Sequence, residues 1–443
     1  TERGVSMKFL KACVPVLILA LLLSGCSFRL FSTAEELIYP ISPSGDNANV
    51  QKAIDSYVKN GYSLKTPVGG NFKTSYIFFD VDKDEEEEVI TFYEPSSKPG
   101  TVNMAVIDKT KSEWNVVCNI EGEGANIYSV DFKDLNGDGT LEFIVLWDAF
   151  SKVSSHYLSV YSRNDGKNGF SLHRLGKPIV MNDYIAADVN GNGLDELLVF
   201  TVDSGDAISA KAVLYSFKNK TPKSLGSTKL DGHISSYKNI VSQVVGGKAY
   251  VYADAIKSNG SQMLTEIVLW SDYYDTIISP FFSYSTGTTK ETTRKLKLHS
   301  QYIKGKNRVA IPMNADKKGV PSQVEAADWK YYSDSTLKHL CYSVAIEKDN
   351  YQIVVPDKYF EDIKIDYDAK NSSLTICDKQ KKESFTIVAL LKSHYEDSKE
   401  QYSDYAEIMS NSGYIYLAAC SNDSDIKFSI DDLKSMIKPY EGE

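Results

Sequence analysis

From Tyr76 onward, short apolar runs alternate with polar turns. The runs are rich in Val, Ile, Tyr and Phe, and Gly, Asn, Asp and Ser separate them, which reads as a succession of β-strands. Three segments repeat one layout: YIFFDVDKDEEEEVITFY (76–93), YSVDFKDLNGDGTLEFIVLW (128–147) and YIAADVNGNGLDELLVF (184–200). Their leading aspartates, Asp80, Asp134 and Asp188, stand 54 residues apart. A second marker keeps the interval: the runs NMAVID, YLSVYS, KAVLYS and EIVLWS place Val106, Val160, Leu214 and Leu269 at steps of 54, 54 and 55. Two independent markers with one period define a repeat, and no segment carries the sustained helical period of a solenoid.

Each unit reads strand, acidic turn, strand, connection, strand, turn, strand. The pattern predicts a mainly β fold, a β-propeller of four-stranded blades over 50–337, with a period of about 54 residues and about five to seven blades. The fourth unit has its loop position near Ser242, where VSQVVGGKAY holds no acidic residue, and Gly246-Gly247 reads as a tight hairpin turn. A fifth unit runs through 302–312 and 327–332. From Lys338 the repeat fades. Strands at 350–356, 363–367, 374–377, 385–392 and 414–420, a polar helix at 398–409 and a helix capped by Ser429 predict a small α+β domain over 338–443. The alternative is that these strands complete a seven-bladed propeller.

The loops share Asp-x-(Asp/Asn)-x-(Asp/Asn)-x-x-x-Glu. The residues are Asp80, Asp82, Asp84 and Glu88 in the first loop, Asp134, Asn136, Asp138 and Glu142 in the second, and Asp188, Asn190, Asn192 and Glu196 in the third. Oxygen ligands that alternate along a tight turn converge on one hard cation, and the set suits Ca2+ better than Mg2+, which demands a stricter octahedron. An EF-hand is excluded, because its twelfth position falls on Thr91, Val145 and Val199. The bland reading is a set of metal-free Asx turns. The second loop matches the calcium pattern best. The first has Glu85 where Gly is expected, and the third replaces two acids by Asn190 and Asn192.

DLNGDGTLEF (134–143) and DVNGNGLDEL (188–197), with DVDKDEEEEV (80–89) as a looser match, resemble the FG-GAP or VCBS-type repeats of integrin-alpha-like propellers. The resemblance covers 71–271 and implies a calcium-stabilised β-propeller used for protein or carbohydrate recognition. The FG and GAP dipeptides are not evident.

The N-terminal segment changes the picture of where this fold works. Met7-Lys8 and Lys11 precede an apolar stretch at 12–23, too short to span a bilayer, and then Leu23-Ser24-Gly25-Cys26. This looks like the signal peptide (1–25) and lipobox of a bacterial lipoprotein. Cys26 is the expected lipidation site and 26–49 the expected tether, which places the mature protein on the extracytoplasmic face of the cell membrane. A formal charge of −10 argues against a nucleic-acid partner. Cys118, Cys341, Cys377 and Cys420 are too sparse for a disulfide scaffold. A Cys377–Cys420 bridge and buried free thiols are the two readings. The six histidines form no metal spacing, and neither a nucleophile elbow nor a phosphate loop occurs. The tyrosine-rich stretch 271–284 supplies either ligand-stacking rings or strand packing.

The favoured function is a non-enzymatic binding module for an envelope protein or glycan. The alternatives are an envelope glycan hydrolase with its site in the propeller funnel, and a structural lipoprotein whose C-terminal domain does the recognition.

Overall fold

The computed structural model describes residues 46–442, apart from 111, 149–154, 167–168 and 204–208. The expected signal peptide, Cys26 and residues 26–45 of the tether lie outside the described residues. Residues 46–49, expected in that tether, instead open a helix, Asp46–Tyr57. Val50, Ala53, Ile54 and Tyr57 recur at helical spacing, and Val50 and Ile54 are fully buried.

The rest is mainly antiparallel β-sheet. The first sheet holds β1 (Tyr62–Lys65), β2 (Tyr76–Phe79), β3 (Glu88–Pro95), β4 (Asn103–Thr110) and β5 (Glu113–Glu121). The second holds β6 (Ile127–Lys133), β7 (Glu142–Asp148), β8 (His156–Gly166), β9 (Gly169–Arg174) and β10 (Ile179–Met181). The third is β11 (Asp183–Ala187), β12 (Glu196–Asp203), β13 (Ser209–Ser216) and β14 (Lys223–Leu230). The fourth is β15 (Ile234–Val245), β16 (Lys248–Lys257), β17 (Met263–Ser271) and β18 (Thr276–Ile278). Each is built from one continuous stretch of chain; the third and fourth sheets pair their strands in order, whereas β1 and β2 both pair with β3, and β9 and β10 both pair with β8. The marker residues Val106, Val160, Leu214 and Leu269 fall in β4, β8, β13 and β17.

A small hairpin, β19 (Phe282–Ser283) and β20 (Thr288–Thr289), leads to the fifth sheet. That sheet contains β21 (Gln301–Ile303), β22 (Arg308–Asn314), β23 (Glu325–Ser333), β24 (Thr336–Ile346), β25 (Tyr351–Val355) and β31 (Ile437–Pro439). The sixth has β26 (Lys364–Asp368), β27 (Ser373–Cys377), β28 (Glu383–Leu391), β30 (Tyr414–Cys420) and, at its edge, β29 (Ala406–Ser410). Position 338, the expected start of a separate domain, falls inside β24, and the fifth sheet draws strands from both sides of it. The expected helix at 398–409 is a strand at its C-terminal end. Ile408 is buried and the run 406–410 pairs with β30, so an available sheet edge overrides a weak helical preference. The helix after Ser429 does form, Ile430–Met436, with a capping box between Ser429 and Asp432.

The sheets pack face to face in chain order. Phe92, Met104, Phe143 and Trp147 fill the space between the first and second. Ile144, Leu146, Leu197 and Val199 fill the next, and Leu198, Phe200, Val251 and Ala253 the one after. Neighbouring residues on β7 and β12 thus serve opposite layers, which is why these strands read as unbroken apolar runs. Tyr252, Ile267, Val309 and Ile311 join the fourth sheet to the fifth, and Tyr351, Ile353, Leu374 and Ile387 join the fifth to the sixth. The outer face of the first sheet is covered by the N-terminal helix, with Val50 and Ile54 against Val89, Tyr93 and Ile107. All four described cysteines are free, and of these Cys341 is buried.

Candidate functional site

The three acidic loops close the first hairpin of the first three sheets in one register. Phe79 pairs with Glu88, Lys133 with Glu142 and Ala187 with Glu196, so each loop occupies the same eight positions. Inside each loop the leading Asp accepts the backbone N–H groups of positions four and six, and Asp80 and Asp188 also accept that of position five. Asp134 takes Gly137 at 2.7 Å and Gly139 at 2.9 Å, and Asp188 takes Gly191 at 2.7 Å and Gly193 at 2.8 Å. Asp80 takes Lys83 at 2.6 Å and Glu85 at 3.1 Å. The third and fifth positions accept in the same manner, as in Asn136 from Asp138 N–H and Asp138 from Thr140 N–H, both 2.9 Å. The glutamate at position nine is buried in every loop, and one of its oxygens accepts the N–H of position two: Val81 and Leu135 at 2.9 Å, Val189 at 3.2 Å.

The winding requires left-handed backbone at positions four and six. Gly137, Gly139, Gly191 and Gly193 supply it freely, with φ between 78° and 88°. In the first loop Lys83 and Glu85 take φ of 63° and 75°.

The loops differ in what faces the second oxygen of the buried glutamate. The Asn136 amide donates to Glu142 at 2.6 Å, and Ser162 adds a second bond at 3.1 Å. Both Asn190 and Asn192 donate to Glu196, at 2.8 and 2.7 Å. The second and third loops thus satisfy their carboxylates with amide hydrogens. In the first loop the third position is Asp82, which cannot donate. Oxygens of Asp80, Asp82 and Glu88 lie within 4.8 Å of one another. Two ligands of one Ca2+ at 2.3–2.6 Å stand at most about 5 Å apart, so this set fits the ion. Burial pushes the Glu88 carboxyl up to about 7, with the neighbouring acids adding to it. Burial also raises Glu142 and Glu196. The first loop, the loosest sequence match, is therefore the one whose acids converge.

Successive loops touch. Lys83 Nζ donates to the Gly139 carbonyl at 2.7 Å, and a Cβ on Gly137 would come within 2.7 Å of Leu194. A Cβ on Gly191 would meet Lys248, and Ala249 N–H donates to the Asp188 carbonyl at 2.7 Å. The row ends on Gly246-Gly247, a two-residue turn between paired Val245 and Lys248, so the fourth unit has no loop to hold an ion. Basic side chains from the next sheet reach back: Arg163 to Asp82 and Lys220 to Asp138, both at 2.8 Å. Burial would raise Asp138, but Lys220 and Thr140 hold it at about 2.

The histidines are dispersed. His156 stacks on Tyr128 at 4.1 Å and lies 3.0 Å from Asp148, while His339 and His233 sit beside Asp328 and Asp231. In the tyrosine-rich stretch, Tyr273, Tyr274 and Tyr284 are exposed, whereas Phe281 packs on Tyr332.

Two features escaped the sequence reading. One is a pair of buried polar knots. Asp254 meets Arg294 at 2.9 Å with Thr265 and Ser300 around them, and Asp231 meets Lys257 at 2.8 Å beside Glu266. A charge inside an apolar strand run, as in YADAI and LTEIVL, was the available signal. The other is a cleft of about 410 Å³ lined by Tyr128, Asp131 and Lys133 of β6 and by Asp183 and Tyr184 of β11.

No protein-family model matches the chain, and no curated protein matches it. Among solved structures it is similar to the rhamnogalacturonan lyase YesW, at 14% identity and a TM-score of 0.34, over 76% of this chain and 63% of that one. It is also similar to a fructan 1-exohydrolase from Cichorium intybus, at 11% identity and a TM-score of 0.27, over 73% of this chain and 66% of that one. The chain thus spans under two thirds of the length of either protein.

Proposed function

We propose that this protein is a lipid-anchored, extracytoplasmic binding module built on FG-GAP-like propeller repeats, with Ca2+ as a structural ion in its acidic loops and an envelope glycan or protein as its partner. The observation that carries the reading is the recurrence of one loop, in one register, at the same end of three consecutive sheets, each with a buried glutamate beneath it. Asp80, Asp82 and Glu88 would be the strongest ligands. Asp84, Asp134, Asn136, Asp138, Glu142, Asp188, Asn190, Asn192 and Glu196 complete the set, once the amides of the second and third loops turn their oxygens inward. The lipid on Cys26 would hold the module at the membrane surface.

The test is thermal unfolding in EDTA and across a calcium titration, for the parent protein and for Asp80→Asn and Asp134→Asn. A ligand that binds only the folded state at 100 times its Kd adds about 2.7 kcal/mol. The melting temperature should rise with calcium, and the rise should shrink more in Asp80→Asn than in Asp134→Asn. An identical melt in EDTA and calcium would make the loops metal-free turns.

A further inference from the structure

The cleft between the second and third sheets has the attributes of a ligand site, and none of the acidic-loop residues lines it. Its walls come from the first strands of two adjacent repeats. The period puts Ser129, Asp183 and Tyr237 at equivalent positions, so neighbouring units present different chemistry at one place. A volume of about 410 Å³ lies within the range of small-ligand sites.

Its polar groups have capacity to spare. One oxygen of Asp131 accepts Phe132 N–H at 2.9 Å, and one of Asp183 accepts Tyr184 N–H at 2.8 Å. Among the described residues, no hydrogen bond reaches the other oxygen of either, and the hydroxyls of Tyr128 and Tyr184 make none. Tyr237, near enough to Asp183 to feel its charge, has a buried hydroxyl with no hydrogen-bond partner among the described residues. Tyr128 is clamped: its ring stacks on His156, and Gly69 lies so close that a Cβ there would come 2.8 Å from the ring.

The charge pattern selects among ligands. Lys133, which also pairs with Asp195 at 3.8 Å, shares the wall with the two acids, and burial pushes the Asp183 carboxyl up to about 6. No cation pairs with Asp183 among the described residues. A site for a cation or an amine would gather carboxylates without an ammonium group beside them. Acceptors, hydroxyl donors and one ammonium group over an apolar floor of Ile185 and Leu146 suit a neutral chain that carries many hydroxyls.

We propose that this cleft binds a segment of a neutral glycan, with sugar hydroxyls donating to Asp131 and Asp183 and bonding to Tyr128 and Tyr184. The proposal rests on the binding-module reading and gives it a ligand class and a place; it does not require calcium.

The test is isothermal titration of the full chain with cellohexaose, chitohexaose, maltohexaose and xylohexaose, and with spermidine as a cationic control. At least one hexaose should bind, and Asp183→Asn and Asp131→Asn should each weaken it tenfold or more without lowering the melting temperature. Tyr184→Phe, which keeps the ring, should weaken it severalfold. Binding of spermidine alone, of no hexaose, or of a hexaose that ignores all three variants would overturn the proposal. Calcium melts on the same proteins separate the two readings. Sugar binding without a calcium shift leaves the cleft and removes the loop ions, and the converse removes the cleft. Release of reducing ends, lost in Asp183→Asn, would keep a glycan in the cleft but overturn the non-enzymatic role.

Discussion

Glu85 shows how a single position can be mismatched to its backbone. It holds φ of 75° where the other two loops have Gly139 and Gly193, and left-handed backbone costs a non-glycine residue roughly 1–2 kcal/mol. Its side chain is exposed, so little packing offsets that strain. Glu85→Gly should therefore raise stability in EDTA by about 1 kcal/mol, less the flexibility that glycine adds to the unfolded chain, as read by denaturant titration. No change would mean that the first loop relaxes away from this winding in solution. The irregular residue was legible in the sequence; its consequence for ion binding was not. The pattern ranks the first loop below the second because it scores the turn, whereas convergence of Asp80, Asp82 and Glu88 depends on Asp82 being unable to donate where Asn136 and Asn190 do.

Among elements, the least regular is the segment between β18 and β21, which has only the hairpin β19–β20 as strand structure. Arg294 anchors it. Its backbone exchanges hydrogen bonds with Met263, and its buried guanidinium reaches Asp254, Thr265 and the Leu298 carbonyl. Removing one partner of a buried ion pair leaves an uncompensated charge, so Arg294→Met should cost roughly 3–5 kcal/mol. The double variant Arg294→Met with Asp254→Leu should recover most of that loss in a chemical melt. If the double variant is as unstable as the single one, the guanidinium's hydrogen bonds matter more than the charge. Strands β7 and β12, which follow the second and third acidic loops, were readable because each faces a sheet on both sides and so forms an unbroken apolar run. The helix Asp46–Tyr57 and β29 were not, because the helix takes its form from the sheet face it covers and β29 from the sheet edge it joins. The cleft residues stayed hidden for a related reason: Asp131 and Asp183 lie on different strands and are joined only when the sheets stack.

At the scale of the whole molecule, the buried acids set an unusual response to pH. Burial lifts Glu88 and Glu266 to about 7 each. A carboxyl raised in the folded state binds protons there more tightly than in the unfolded chain, so stability falls as pH rises towards the folded value and just past it. Between pH 6 and pH 8 each of these two groups should cost about 1 kcal/mol. In EDTA the protein should thus be more stable at pH 6 than at pH 8, and Glu266→Gln should flatten the slope. Calcium should reverse the Glu88 share, because the ion favours the charged carboxylate. The groups held low, such as Asp138 at about 2, act only in far more acidic solution and do not blur this window. A pH-independent melt between 6 and 8 would mean that both glutamates are hydrated.

The pairing of Tyr351 with Pro439 has a consequence for how the chain is made. The first four sheets are built from neighbouring stretches and need nothing downstream, so each can close as soon as its own residues are synthesised. The fifth cannot, because its β25 edge stays open until residue 439 exists, while the whole sixth sheet is made in between. An open edge is a template for pairing with other chains. Premature termination anywhere between 356 and 436 therefore leaves all five residues of β25 as the border of the fifth sheet, where the complete chain ends on the three-residue β31, and such truncated products should aggregate more readily than the full chain.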